Sequence, residues 1–250
     1  MHLVILLIGH FLGDFLFQSN RIAQQKNENI NYLYFHSIIY STVFFVLMLL
    51  FESEYWLILF LVVSLSHLII DYFRINLLKK NQNNVRLSKI DLLSFIFDQV
   101  IHILIILILS LFITGMSRIG SSIFTFIFSN IFDKYFYNGL VIILLMYICT
   151  TPSAILIKKV LAMYIEDENF NGKKDLNNSG FLIGILERII MLMLGLSGQV
   201  GAIGFVIAAK SLARFKQFED KDFAERYLLG TLLSVLIALV CIIFGNSLIN

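Results

Sequence analysis

Proline occurs once in the 250 residues, and charged residues make up only 14% of them. An ordinary soluble domain carries about 25% Asp, Glu, Lys and Arg, so this composition excludes a molecule that is water-facing all round. The chain also lacks the short segments of alternating polarity that build a transmembrane β-barrel; its apolar runs are continuous over helix-spanning lengths. The two cysteines, Cys149 and Cys241, sit in apolar stretches and form neither a disulfide framework nor a metal-type spacing. A formal net charge of +2 is too small to imply a nucleic-acid partner. What remains is a chain that is 58% hydrophobic with a mean hydropathy of +0.85, the profile of a multi-pass helical membrane protein.

The expected fold is all-α, a polytopic bundle of about eight transmembrane helices near residues 2–18, 34–51, 55–75, 91–115, 137–159, 180–196, 199–215 and 223–247. The first, sixth and seventh are short for a full crossing, which leaves a seven-span version open. The first span lacks a basic leader and a small-residue cleavage site and carries His10 and Asp14, so it is expected to stay in the mature protein. Arg21, Lys26, Arg74, Lys79, Lys80, Arg86, Lys89, Lys158, Lys159, Lys173, Lys174, Lys210, Arg214, Lys216, Lys221 and Arg226 all fall in alternate connections. The opposite connections hold Arg118 and Lys134 and an acidic turn at Glu52 and Glu54. By the positive-inside rule the first set is cytoplasmic and both termini lie outside. The chain divides into residues 1–115, an outer interfacial or re-entrant connection at 116–136 containing the aromatic stretch Ile123 to Phe128, and a second membrane half at 137–250. Glu166 to Ser179 reads as a polar loop, and Pro152 is expected to kink the fifth helix, with Thr150 and Thr151 satisfying the freed carbonyls.

Histidine and aspartate are rare in membrane spans because they are costly there, and their default reading is functional. The first four spans contain His10 and Asp14, His36, His67 and Asp71, and Asp98 and His102. Three of these sets are four residues apart, which stacks both side chains on one helix face about one turn apart. The inferred orientation places all seven in the cytoplasmic half of the membrane at compatible heights. Imidazole and carboxylate without thiolate suit Zn²⁺, Mn²⁺ or Fe²⁺, in one site or two, with remaining carboxylates orienting histidines or acting as base. Three buried aspartates cost on the order of 8–10 kcal/mol on an insertion scale. Metal binding, on the order of 10 kcal/mol or more in zinc sites, could offset that. The plain alternative is a His–Asp network that fastens helices together. Gly9 and Gly13 are expected to permit close helix packing, and Gln18 and Gln99 are candidate hydrogen-bond partners.

In the second half Glu187 and Arg188 lie inside the sixth span, and Lys210 with Arg214 ends the seventh. These four form either an ion-pair cluster with snorkelling cations or a site for a phosphate-bearing headgroup. Gly195, Gly198, Gly201 and Gly204 mark a tight hairpin, and Arg214 to Glu219 alternates basic and aromatic residues as an interface anchor does.

The segment Gly9-His10-Phe11-Leu12-Gly13-Asp14-Phe15, the His67 to Asp71 pair, Asp98-Gln99-x-x-His102, Gly184-Ile185-Leu186-Glu187-Arg188 and Lys210-x-x-x-Arg214-Phe215 together resemble domain-of-unknown-function family 3307, a bacterial integral-membrane group. The resemblance extends over nearly the whole chain and implies a bacterial inner-membrane location, but no substrate. The first half is also similar in motif logic to membrane-bound metal-dependent hydrolases. The resulting expectation is a cytoplasm-facing hydrolase of a lipid or lipid-linked (phospho)ester, with a divalent metal, zinc first, on His10, His36, His67, Asp71 and His102. Asp14 or Asp98 is then base or further ligand. Membrane lipids are the expected partners. A divalent-cation or proton transporter or sensor and a non-catalytic scaffold are the alternatives.

Overall fold

A computed structural model describes residues 1–26, 29–48, 56–116, 123–164 and 178–249. The acidic turn at Glu52 and Glu54, Arg118, and most of the loop from Glu166, with Lys173 and Lys174, lie outside the described residues. Among those described the chain is entirely helical: α1 (His2–Phe11) running into a π-helical turn (Leu12–Leu16), α2 (Asn20–Gln25), α3 (Ile30–Met48), α4 (Trp56–Lys80), α5 (Leu87–Met116), α6 (Ile123–Ile148), α7 (Thr151–Tyr164), α8 (Asn178–Leu196), α9 (Val200–Ala213), a 3₁₀ turn (Phe215–Glu219) and α10 (Lys221–Ile249). Five helices are long and apolar enough to cross a membrane, at Ile30–Met48, Trp56–Lys80, Leu87–Ile113, Tyr135–Tyr164 and Lys221–Ile249; His2–Leu16 and Val200–Ala213 are shorter apolar helices. The protein is a membrane-embedded helical bundle. Residues 123–134, which include the aromatic stretch, are helical and continue into 135–148 without a break.

Two compact units make up the chain, Met1–Leu140 and Val141–Asn250. In the first, α1 packs on α3 and α5, α3 on α4, and α4 on α5, which closes a four-helix ring. The inward stripe of α4 is Leu59, Val63, His67, Asp71 and Ile75, one residue every four, and that of α3 is Leu33, His36, Tyr40, Phe44 and Met48. One end of the ring is apolar, built from Leu6, Phe44, Met48, Leu59, Val63, Ile106, Leu109 and Ile113. Further along the same stripes the inward residues become His and Asp. The outward faces stay apolar and exposed, as at Leu57, Ile58, Leu61, Leu65, Ile69 and Phe73, because their solvent is lipid.

Close approach of α1 to α3 depends on glycine. A Cβ at Gly13 would lie 2.8 Å from Tyr40 Cδ2, and one at Gly9 would lie 2.2 Å from Leu47 Cδ1. Leu47 can turn aside, whereas Tyr40 is fixed by a hydrogen bond to His10 and a stack on His67. Gly13→Ala is therefore expected to destabilise the first unit by about 1–3 kcal/mol, the cost of an overpacked methyl, and Gly9→Ala by less; thermal unfolding in detergent measures both.

In the second unit α8 packs on α7, α9 and α10. The turn between α8 and α9 closes on Gly198, the described non-helical position with a left-handed backbone (φ +79°), and Gln199 N–H reaches back to Leu194 O at 2.8 Å in a Schellman arrangement. Next to Pro152 the span Tyr135–Tyr164 is interrupted by a two-residue turn, Cys149 and Thr150, between α6 and α7. Thr150 Oγ1 donates to Tyr147 O at 2.6 Å and Ser153 Oγ to Ile148 O. The expected Thr151 is replaced in this role by Ser153, and two further carbonyls are taken up by an arginine from α8, described below.

Candidate metal centre

The ring brings together all seven of the His and Asp residues, each at most 6% exposed. His36 and His67 point their Nε2 atoms at one carboxylate oxygen, Asp14 Oδ1, at 3.2 and 3.6 Å. These three residues each offer a ligand atom within 4.8 Å of the others. Ligands about 2.0–2.2 Å from a tetrahedral zinc sit a little over 3 Å apart, so small shifts would bring this trio to coordination distance. Asp71 Oδ2 is 3.5 Å from His36 Nε2 and extends the set.

The donor chemistry fits a divalent cation on a second count. Asp71 accepts from Lys26 Nζ at 2.9 Å, and Asp98 lies 4.0 Å from Arg74 Nη1. Asp14 pairs with no lysine or arginine among the described residues; what faces it is the two imidazoles and the Gln99 amide. A buried carboxylate without a fixed cation is costly, and a metal ion would supply the missing charge.

Gln99 ties the trio to the rest of the cluster, and its amide fixes the direction of a hydrogen-bond chain. Gln99 Nε2 donates to Asp14 Oδ2 at 2.8 Å and to Asp98 Oδ2 at 3.1 Å. Its oxygen then accepts from His10 Nε2 at 3.2 Å, which leaves His10 Nδ1 to accept from the Tyr40 hydroxyl at 3.1 Å. Both nitrogens of His10 are thus spent within the network. His102 Nδ1 donates to Asp98 O at 2.8 Å, so Nε2 carries the lone pair, and it is buried without a hydrogen-bond partner among the described residues. Asp98 Oδ1 is likewise buried without one. Tyr40 stacks on His67 with centroids 3.6 Å apart and planes at 19°, and the rings of His36 and His102 lie 5.0 and 4.8 Å from His67.

The π-helical turn places Asp14. A bond from Phe17 N to Leu12 O, five residues back, widens the helix where Asp14 enters the ring. Below it, α2 starts on a Ser19 side-chain cap and returns the chain so that Lys26, 6% exposed, enters under Asp71. With its amide oriented to satisfy both neighbours, Gln18 donates to Asp14 O and accepts from Lys26 Nζ, each at 3.0 Å. Lys26 and Arg74 enter the sequence reading only as orientation charges, and Tyr40 does not enter it. The i, i+4 spacing of His36 and Tyr40 is the signal that could have found the tyrosine.

In the second unit the four predicted residues split. Lys210 Nζ donates to Glu187 Oε2 at 2.5 Å. Arg188 turns the other way and is 2% exposed: Nε donates to Cys149 O at 2.7 Å, Nη2 to Thr150 O at 3.3 Å and Nη1 to Ser234 Oγ at 3.3 Å. It caps the carbonyl end of α6 at the Pro152 break. Arg214 is half-buried at the end of α9.

The four-helix ring with its buried His–Asp cluster defines a class, membrane-embedded helical proteins with a buried polar centre. Residues 2–130 match the model of a family described as proteins of unknown function, DUF3307, and the chain belongs to that family. The match falls within the first unit, so Glu187, Arg188, Lys210 and Arg214 lie outside it, and the family likeness is narrower than the near-complete coverage expected from sequence. Comparison with curated proteins and with solved structures finds no match.

Proposed function

We propose that the first unit is a divalent-metal-dependent hydrolase of the bacterial inner membrane, acting at its cytoplasmic side on a lipid or lipid-linked (phospho)ester. The observation that carries this reading is the convergence of His36 and His67 Nε2 on Asp14 Oδ1, a carboxylate without a fixed cation. Zinc suits the two nitrogens and one oxygen best, with Mn²⁺ or Fe²⁺ as alternatives. A bound cation would supply Lewis acidity and a water acidic enough to ionise near neutral pH.

The protein's own groups complete the chemistry. His102 Nε2 holds a lone pair, because Nδ1 is committed to Asp98 O, and in this reading it accepts a proton from the attacking water. Asp98 stands beside it, with Oδ1 3.8 Å from His102 Nδ1. Gln99 positions Asp14 and Asp98 together. Lys26 and Arg74 place two cations beside the carboxylates, where a phosphoryl group carrying negative charge would be received. A substrate in the bilayer is supported by the site's burial in helices whose outer faces contact lipid.

The test uses the full chain in phospholipid vesicles, loaded in turn with zinc, manganese or iron, with release of headgroup or phosphate as readout. Metal-dependent release that His102→Ala lowers by roughly 10²–10⁴-fold, the range for a lost general base, while bound metal stays stoichiometric, supports the assignment. Release that is indifferent to the metal, or unchanged in His102→Ala, overturns it. The contiguous imidazoles of His36, His67 and His102 with Asp14 favour a second reading, a proton relay; proton uptake by sealed vesicles without hydrolysis would select it.

A further inference from the structure

The second unit buries a guanidinium without a carboxylate. Among the described residues Arg188 has carbonyl and hydroxyl partners only, and the adjacent Glu187 is held by Lys210. Its positive charge is therefore screened by dipoles and balanced by no anion, an expensive condition inside a membrane. The first acceptor of that arginine is the carbonyl of Cys149.

Cys149 and Cys241 are both buried and free, and they lie opposite one another between two contacts of α10 with α6 and α7, Gly245 with Leu145 and Gly230 with Leu161. The register of the helices produces that pairing. A Cβ at Gly245 would meet Leu145 Cδ1 at 2.9 Å, so α6 and α10 touch there. Four residues on along α6 and four back along α10 are Cys149 and Cys241. Sequence spacing gave no sign of this, because 92 positions of chain separate two residues that are one turn from a helix contact.

A small, mostly apolar cavity adjoins the arginine. Glu187, Lys210, Met191, Thr231 and Ser234 line a cavity, and Thr231 Oγ1 is buried there without a hydrogen-bond partner among the described residues. Ser234 joins that cavity to Arg188, and Arg188 joins it to the Cys149 backbone.

We propose that Cys149 and Cys241 form a two-coordinate thiolate site for a monovalent, closed-shell soft metal ion of the Cu(I) class, with Arg188 as the balancing charge. Binding breaks two S–H bonds, forms two S–metal bonds and releases two protons to the medium. The two thiolates carry two negative charges, and the ion and Arg188 carry one positive charge each, so the occupied site is neutral. A divalent ion would leave a net positive charge, and the two protonated thiols leave that of Arg188. Thiolate softness and charge balance thus select the same kind of ion.

Ag(I) is the probe, since it has the required charge and softness and does not cycle between oxidation states. The detergent-solubilised full chain is titrated with Ag(I) in excess imidazole, which masks nitrogen sites, while bound silver and released protons are counted. One ion per chain with two protons released, and a loss of affinity of at least 100-fold in both Cys149→Ala and Cys241→Ala, is the expected result. Retention of an ion at parental affinity by either single variant overturns the proposal, because the thiols are then independent. Should a variant not fold, the parent decides alone: one proton per ion means a single thiol and also overturns it.

Discussion

Asp14→Ala is expected to abolish stoichiometric divalent metal in the purified protein, and His67→Ala to do the same. Each removes one of three donor atoms that lie within 4.8 Å of one another, and a site left with two ligands holds a cation only weakly. Gln99→Leu is the calibrating comparison. It removes two donations, to Asp14 at 2.8 Å and Asp98 at 3.1 Å, without touching the three ligand atoms. Loss of such an outer contact commonly lowers metal affinity about 10–100-fold, so Asp14→Ala should exceed that range and Gln99→Leu fall within it. Elemental analysis after equilibrium dialysis against zinc, manganese and iron reads all three proteins. Full metal content in Asp14→Ala would leave the cluster as a hydrogen-bonded fastening of four helices. Asp14→Asn gives a finer reading: it keeps most of the packing but not the charge, so its metal content separates the carboxylate's electrostatic contribution from its volume.

The part of this centre that sequence discloses is the part governed by helical periodicity. His67 with Asp71 and Asp98 with His102 are four apart inside long apolar helices, and four-residue spacing is enough to put each pair on an inward face. Position along the helix, read from the positive-inside pattern, then suggests a common height for residues on four helices. Periodicity fails where the helix is irregular or the residue lies off it. The π-helical turn at Leu12–Leu16 resets the geometry around Asp14, and the aspartate, expected as base or further ligand, lies with His36 and His67 in the trio whose donor atoms fall within 4.8 Å of one another. His10 is instead committed to Tyr40 and Gln99. Lys26 sits in a short polar connection, where a basic residue is ordinarily a headgroup or solvent contact; only the return of α2 beneath the ring buries it on Asp71. A backbone path of that kind has no compositional signature.

The same limit applies around Pro152. The sequence shows that a helical bond must be lost there, and Thr150 does take up one carbonyl. It does not show that the break would be capped from α8, 39 positions away, or that Glu187 and Arg188, adjacent in sequence, would face different neighbours. Successive residues on a helix point about 100° apart, so a Glu-Arg dipeptide inside a span serves two surfaces rather than forming one ion pair.

Arg188→Met should accordingly be among the most destabilising single changes in the second unit. It keeps much of the side chain's length and apolar contact while deleting the donors that serve Cys149 O, Thr150 O and Ser234 Oγ. Each buried acceptor left without a partner costs about 1–3 kcal/mol, and no water is at hand in a bilayer to replace the guanidinium. The combined loss is about 3–5 kcal/mol, even though the variant also removes an unbalanced buried charge. For a chain of this size that corresponds to a fall of roughly 10 °C in the unfolding midpoint. Arg188→Lys is the informative partner variant. An ammonium is a single point of donation and cannot match a planar fork that reaches acceptors on both sides of the helix break, so lysine should recover little of the loss. If lysine restores full stability, the positive charge at the carbonyl end of α6 is what matters and the three directed hydrogen bonds are not. A small loss in both variants would mean that Ser153, Thr150 and helix packing already hold the break without the arginine.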